Sequence, residues 1–488
     1  MLLFPLFFST IISGQQREYS LFDKAYHSIS SNNIDSLVKE LCSEKYSGRL
    51  AGSPEYTYCA LWAANQFSSY GLTPGGDNGF FFQNFPIHNT IIKNKGLLQI
   101  IDDGISLDYK IQEDYIPGIH TSGGIMSEDV IYVGFGITAP EFLYDDYDGF
   151  DVKGKIVVIE PGVPCNPGSV NYKRWDESKY SGTIIKFQNA VNHGAAGVLF
   201  ADLKPHPGIK HYKNFLYCHV NDKVINGLLS GTGKTASLLR SQIMKTEKPA
   251  TLPINGKKVR IFFESQQIPL SITQNVIAYI PGNNPKLKDS PVIVGAHLDH
   301  LGSPGVIFPG AADNASGSAV LMATAKAMAM SGIIPSRPIV FILFGAEEEG
   351  MIGSKYYIEN PLFPLNKTLC MFNLDMVGNG TELRISGIDT LPQIKRYFTE
   401  ANDKYLHRIL NTTKYRRASG KMYTDGEVFN SKGVFAFSAG TRKSVGFTYY
   451  HSPMDVPETL TPEIMEDLSK LLFVSLYNLC TDDGLSID

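Results

Sequence analysis

At 488 residues the chain exceeds one ordinary domain, and 43% apolar with 19% charged residues is the composition of a protein with large buried cores. A formal net charge of −4 is too balanced to steer the chain to nucleic acid or to an anionic membrane. Six cysteines without a C-x-x-C pair argue against a thiolate zinc site, and none of them reads as a nucleophile.

The opening "MLLFPLFFSTIISGQQ" has the length and apolarity of a signal peptide over residues 1–14, ending in small residues at Ser13 and Gly14. It is too short to span a bilayer, so the expected location is secreted or periplasmic, with no transmembrane segment in the mature chain. Such a location permits disulfides without specifying their pairing. Residues 34–70 read as helical: "NNIDSLVKELCSEK" opens on cap-type residues, and "PEYTYCALWAANQFSSYG" runs from a helix-starting Pro to a stopping Gly. Over 112–266 the texture becomes short β-type runs with glycine turns, "DVIYVGFGI", "GKIVVIEPG" and "AAGVLFADL", around one helical stretch, "TIIKFQNAVNHG".

From "NVIAYIPG" onward, apolar strands ("PVIVGAH", "PIVFILF", "CMFNLD", "LRISGI", "VFAFSAG") alternate with amphipathic helices such as "ASGSAVLMATAKAMAMSG" and "TPEIMEDLSKLLFVSLYNLC". Continuous apolar strands separated by helices predict an α/β fold, a mostly parallel sheet covered on both faces. The N-terminal helices are expected on that same sheet. This divides the chain into a catalytic-type domain over 15–111 and 267–488, with a β-rich domain over 112–266 inserted into it.

In open α/β sheets the functional side chains gather beyond the carboxyl ends of the strands. Here those points carry His297 and Asp299, Glu347 and Glu348, and Asp375. Asp313 in "GAADNASG" and His451 in "YYHSPMD" lie in flanking loops. Any one of these alone reads as a cap or a satisfied polar group. Together, two His with several Asp and Glu and no Cys suit a borderline metal such as zinc in a site open to water.

"GAHLDHLG", "GAADNASG", "AEEEGMIGS", "NLDMVG" and "YYHSPMD", in that order, resemble the signatures of the di-zinc peptidases, the family of bacterial and vacuolar aminopeptidases and glutamate carboxypeptidase. "YSGRLAGSPEYTYCALWAANQFSSYGL" extends the likeness, and "VGFGITAPEFLYDDYDGFDVKGKIVVIEPG" with "NHGAAGVLF" resembles the protease-associated (PA) domain that many members carry as an insertion. The resemblance implies two Zn2+, or other divalent transition metals. His297 and Asp375 would hold one, Glu348 and His451 the other, with Asp313 bridging. Asp299 matches the acid that orients His297, Glu347 the general base, and the Asp313–Asn314 peptide is expected to be cis. Tyr450 is a candidate donor to the oxyanion, in competition with Tyr449 and with a packing role.

Three adjacent glutamates in "AEEEG" then have different tasks. Two metals bridged by a carboxylate bring a shared water's pKa from 15.7 toward ~7, so that metal-bound hydroxide is the nucleophile. Glu348 would hold metal while Glu347 moves the proton. Glu349 is expected to be solvated, and His300 structural. The implied function is an exported aminopeptidase acting on peptides with a free N-terminus. A carboxypeptidase or dipeptidase of the same family would instead need cations for a free carboxylate, for which Arg416, Arg417, Arg442 and Lys443 are candidates. A non-catalytic receptor on the same fold should lack ligands that are present here, and single-zinc glutaminyl cyclase chemistry does not need the full set. Sequence is silent on oligomeric state.

Overall fold

The computed structural model describes residues 20–93, 96–205, 211–415, 422–442 and 449–486. The expected signal segment lies outside them, as do Arg416, Arg417 and Lys443. No helix among the described residues is long and apolar enough to cross a membrane.

A nine-stranded mixed sheet organises the larger part of the chain. From edge to edge its strands run Thr73–Pro74, Ser265–Ile280, Ile339–Phe344, Val292–His297, Cys370–Leu374, Ala436–Arg442, Glu382–Ser386 and Leu410–Thr412, with Phe82–Ile92 also paired to Ser265–Ile280. The central four are parallel, and the flanking pairings to Ser265–Ile280 and Glu382–Ser386 are antiparallel. Side-chain alternation divides each apolar run between two cores. Ile339, Phe341 and Leu343 join the core made with helices Ser31–Leu41, Pro54–Ser69, Ser316–Met330, Pro392–Ala401 and Pro462–Thr481. Val340, Ile342 and Phe344 join Tyr357 and Phe429, from the short helices Ile352–Glu359 and Asp425–Ser431 on the opposite face. Fully burying each such side chain stabilises by roughly 1.5–3 kcal/mol, so both layers hold the sheet.

A second, eight-stranded sheet takes the order Ile105–Asp108, Leu97–Asp102, Leu252–Phe263, Gly124–Tyr132, Ile156–Ile159, Gly197–Phe200, Leu216–Val220, Tyr115–Pro117. It begins at Leu97, upstream of residue 112, because the Leu97–Asp102 strand pairs with Lys257–Phe262 rather than with the first sheet. Helix Thr183–Asn192 packs Phe187 and Ala190 on one face. Helices Asp222–Leu229 and Ala236–Thr246 cover the other. The two sheets are joined by a long antiparallel ribbon, Phe82–Ile92 against Ser265–Val276, through which the chain enters and leaves the second domain. Sequence periodicity shows the last third of the strand Ser265–Ile280, "NVIAYI", but not the ribbon before it. The partner "FQNFPIHNTII" mixes Gln, Asn, His and a Pro into its alternation, and Pro reads as a strand breaker.

All six cysteines are free thiols, five of them buried, so no disulfide staples either domain.

Candidate metal centre at the strand ends

In the central strands His297 pairs in register with Phe344, so the turns after both leave the sheet at one level, beside the end of Cys370–Leu374. Glu347, Glu348 and Asp375 follow within a few residues. Ala346 and Met376 adopt left-handed backbone at φ +56° and +53°, which turns the chain sharply before Glu347 and just after Asp375. Asp313 lies in the loop leading into helix Ser316–Met330, after Gly310 at φ +58°. A Cβ on Gly310 would meet the Asp313 carbonyl oxygen at 2.3 Å and the His300 ring at 2.5 Å, so only glycine fits there. The Asp313–Asn314 peptide is cis.

Two donor groups meet at Asp313. His297 Nε2 lies 3.2 Å from Asp313 Oδ1 and 3.4 Å from Asp375 Oδ1. On the other side His451 Nε2 lies 3.3 Å from Asp313 Oδ2 and 3.2 Å from Glu348 Oε2. All five residues named from the sequence as ligands therefore converge, with the Asp313 carboxylate between the two histidines. His451 Nε2 and Asp375 Oδ1 are buried and make no hydrogen bond of good geometry. An imidazole nitrogen and a carboxylate oxygen left unpaired at such a cluster are what a divalent cation would satisfy, and His/Asp/Glu donors fit zinc.

Other groups set the orientation of these side chains. The backbone carbonyl of Asp299 accepts from His297 Nδ1 at 3.2 Å, whereas the carboxylate is 3.8 Å from that nitrogen. The carboxylate instead accepts the Glu347 and Glu348 amides at 3.1 and 3.2 Å. Asp299 thus orients His297 through its backbone and braces the glutamate loop through its side chain. His451 Nδ1 donates to the carbonyl of Pro205, 2.7 Å away in the second domain, which leaves Nε2 facing the centre. His300 is more than packing: its Nδ1 donates to Glu348 Oε1 at 2.7 Å, and it joins Asp313 and Glu348 in a second possible ligand grouping.

Several contributors carry no sequence signal of their own. Asp455 accepts from the Ala312 and Asp313 amides at 2.8 and 3.1 Å. Asn314 donates to Leu374 O and accepts from Met376 N, tying the Asp313 loop to the Asp375 loop. Arg49, wholly buried, donates to the carbonyls of Leu41, Leu298, Pro309 and Gly310. Asp425, on a helix too short for a periodic pattern, lies buried near His297 and Asp375. Asp455, Asn314 and Arg49 lie inside the family-like stretches "YYHSPMD", "GAADNASG" and "YSGRLAGSPEYTYCALWAANQFSSYGL", which do not mark these bracing contacts, and Asp425 lies in none of them.

The electrostatics follow from burial set against close opposite charges. Burial disfavours charge on Glu348, but His451 and His300 hold its carboxyl down to about 2. Burial likewise opposes charge on His451, and Glu348 with Asp313 raises it to about 10. Burial pushes the Asp299 carboxyl up to about 7 and raises Glu347 well above the carboxylate range; His297 opposes both shifts. Tyr450 stacks on the His451 ring, centroids 3.8 Å apart and 19° between planes. Burial and then the acids Glu348, Asp313, Glu347 and Asp375 raise its phenol far above the ordinary value, so it remains a proton donor.

Glu349 requires a correction. It is not solvated: its Oε2 lies 2.8 Å from Nε2 of the buried His120 in the second domain, and its side chain is 9% exposed. That contact continues an apolar seam in which Ile116 and Ile119 pack on Leu301 and Phe308. The cations that a carboxypeptidase would use are Arg416, Arg417 and Lys443, outside the described residues, and Arg442, which ends a strand and whose side chain is not described.

Residues 275–475 match the family described as Peptidase family M28, and residues 127–225 match the PA domain. Leupeptin-inactivating enzyme 1 of Streptomyces exfoliatus is 41% identical over 106 residues, 22% of this chain and 23% of that protein. Aminopeptidase YwaD of Bacillus subtilis (strain 168) is 29% identical over 211 residues, 42% of this chain and 44% of that one. The matched stretches span less than half the length of these two relatives. The fold covers more: the structure of a zinc aminopeptidase from Bacillus subtilis superposes with a TM-score of 0.62 at 19% identity, over 94% of this chain and 97% of that one.

Proposed function

With a Peptidase family M28 domain over 275–475 and a PA domain over 127–225, we propose that this chain is an exported zinc aminopeptidase that removes N-terminal residues from peptides. The observation that supports it most is the pair of donor groups sharing Asp313, with Glu347, beside the ligand Glu348, left free of any ligand contact. A relative named aminopeptidase and a structural neighbour described as a zinc aminopeptidase point the same way.

In this reading His297 and Asp375 would hold one zinc and His451 and Glu348 a second, with Asp313 shared between the two groups. Bound there, the ions supply Lewis acidity, which makes water a usable nucleophile at neutral pH and polarises the scissile carbonyl. Glu347 takes the proton of the attacking water on its carboxylate and returns it to the leaving amine nitrogen. Asp299, holding the Glu347 and Glu348 amides, keeps one glutamate on the metal side and its neighbour on the proton side. Tyr450 donates its phenol hydrogen to the oxygen that becomes negative as the carbonyl carbon turns tetrahedral. The second domain, touching His451 through Pro205 and Glu349 through His120, narrows the approach to short peptides. A free N-terminus is the expected handle, because the acids outnumber the bases here and favour an ammonium group.

Hydrolysis of aminoacyl-4-nitroanilides should be observed beside inertness of N-acetylated peptides, with zinc measured on the same sample. Cleavage of blocked peptides at a free C-terminus, with the anilides untouched, overturns the reading.

A further inference from the structure

Away from the strand-end centre, His120, His211 and Glu349 each bring one ligand atom to within 4.8 Å of the others. They come from three separate parts of the chain. His120 follows the strand Tyr115–Pro117, His211 follows the Gly197–Phe200 strand, and Glu349 is the third glutamate of the loop that carries Glu347 and Glu348. His120 is buried to 1% exposure, and neither of its ring nitrogens makes a hydrogen bond of good geometry, although Glu349 Oε2 stands 2.8 Å from Nε2. A fully buried imidazole whose nitrogens make no well-aligned hydrogen bond is costly unless something else satisfies it.

The surroundings are arranged as for ligands. His211 stacks flat on His88, centroids 3.5 Å apart and 5° between planes, and its ring centre is 4.0 Å from that of His120. Thr90 Oγ1 lies 2.9 Å from His211 Nδ1, holding the ring in place. His88 Nε2 is buried without a partner as well. Burial, then the neighbouring His120 and His88, lowers His211 to about 3.

We propose that His120, His211 and Glu349 form a separate binding site for a divalent transition metal of the zinc type, at the seam between the PA domain and the loop bearing Glu347 and Glu348. Two imidazoles and one carboxylate are a zinc-type donor set; the all-oxygen preference of calcium and magnesium is not met, and no thiolate selects a softer ion. A metal there ties two residues of the inserted domain to the residue next to Glu348. The site thus sets how firmly that domain is held over the strand ends. This inference goes beyond the proposed peptidase activity and does not depend on it.

Zinc bound per full-length chain, measured after equilibrium dialysis, tests it in wild type, Asp313→Ala, and Asp313→Ala combined with His120→Ala or with Glu349→Gln. Asp313→Ala removes the residue common to both strand-end groups, so it should bind less than wild type yet retain about one equivalent. That equivalent should disappear in both double variants, with far-UV circular dichroism unchanged. Glu349→Gln keeps the size of the side chain, so it stands in if the His120 change prevents folding. Cobalt(II) added to Asp313→Ala should give visible d–d bands that His120→Ala abolishes. Double variants that bind as much zinc as Asp313→Ala, or an Asp313→Ala protein that binds none, overturn the proposal. Wild type and Asp313→Ala binding equally would count against the strand-end reading instead.

Discussion

In the PA domain Glu160 is fully buried, yet Arg240 Nε lies 2.7 Å from its carboxylate and Tyr132 donates to it at 3.1 Å. Its buried neighbours are paired too: Lys186 donates to Phe135 O at 2.7 Å, and Asp146 accepts from Ile137 N and the Tyr144 hydroxyl. At the strand ends of the larger sheet, Asp299, Asp313, Glu348 and Asp375 have only histidines as ion-pair partners among the described residues, and Glu347 has none. There His451 Nε2, His300 Nε2, Asp375 Oδ1 and Asp425 Oδ1 make no hydrogen bond of good geometry. A buried network that serves architecture closes on itself. One that leaves acceptors open is arranged around something the chain does not encode.

The sharpest test of that contrast is removal of metal. Phenanthroline should abolish hydrolysis and zinc should restore it, while the circular dichroism and melting of the chain remain those of a folded protein. A domain of this size does not depend on an ion to fold. Collapse of structure on chelation would erase the distinction, making the strand-end cluster structural as well. Next in size, Glu347→Gln should lower kcat by about 10²–10⁴-fold with zinc content retained. Glu348→Gln should instead lose zinc and recover part of its activity in excess zinc. If Glu347→Gln is the variant that loses metal, the two roles are reversed. A smaller loss, about 10²-fold in kcat at unchanged zinc, is expected for Tyr450→Phe. A change of only a few-fold would reduce Tyr450 to packing on His451.

The smallest kinetic effect belongs to the other network. Arg240→Ala leaves Glu160 buried without its cation and should cost roughly 1–3 kcal/mol of stability by chemical denaturation, discounted because the guanidinium is partly exposed, with kcat unaltered. A large kinetic defect without unfolding would show that the two regions are coupled.

What the sequence displays and what it hides separate along physical lines. The meeting of the five residues expected to hold metal was legible because each stands where an apolar strand ends or in a loop with a distinctive neighbourhood, and a strand end in an α/β sheet has a known destination. Arg49 was not, since its partners are four carbonyls, which every residue has. Asp425 sits on a seven-residue helix, less than two turns, which cannot show an amphipathic period. Glu349 looked idle because its partner arrives from another domain. His88, His120 and His211 lie in separate elements and share no spacing that would betray their meeting. The outer ribbon was hidden by its polar residues, although the burial of Gln83, Phe85, Ile87 and Asn89 alternates as a strand should.

That ribbon also orders events during synthesis. Helices Ser31–Leu41 and Pro54–Ser69 leave the ribosome long before Ser265–Ile280, the strand against which the second of them packs. The whole of the PA domain is made in between. Pairing across so long a stretch of sequence is slow in an open chain, because the ends must first find each other. A PA domain that folds as soon as it emerges places Ile92 beside Ser265 in advance, their positions in the finished ribbon. The insertion is then a splint: it turns a distant contact of the larger sheet into a local one.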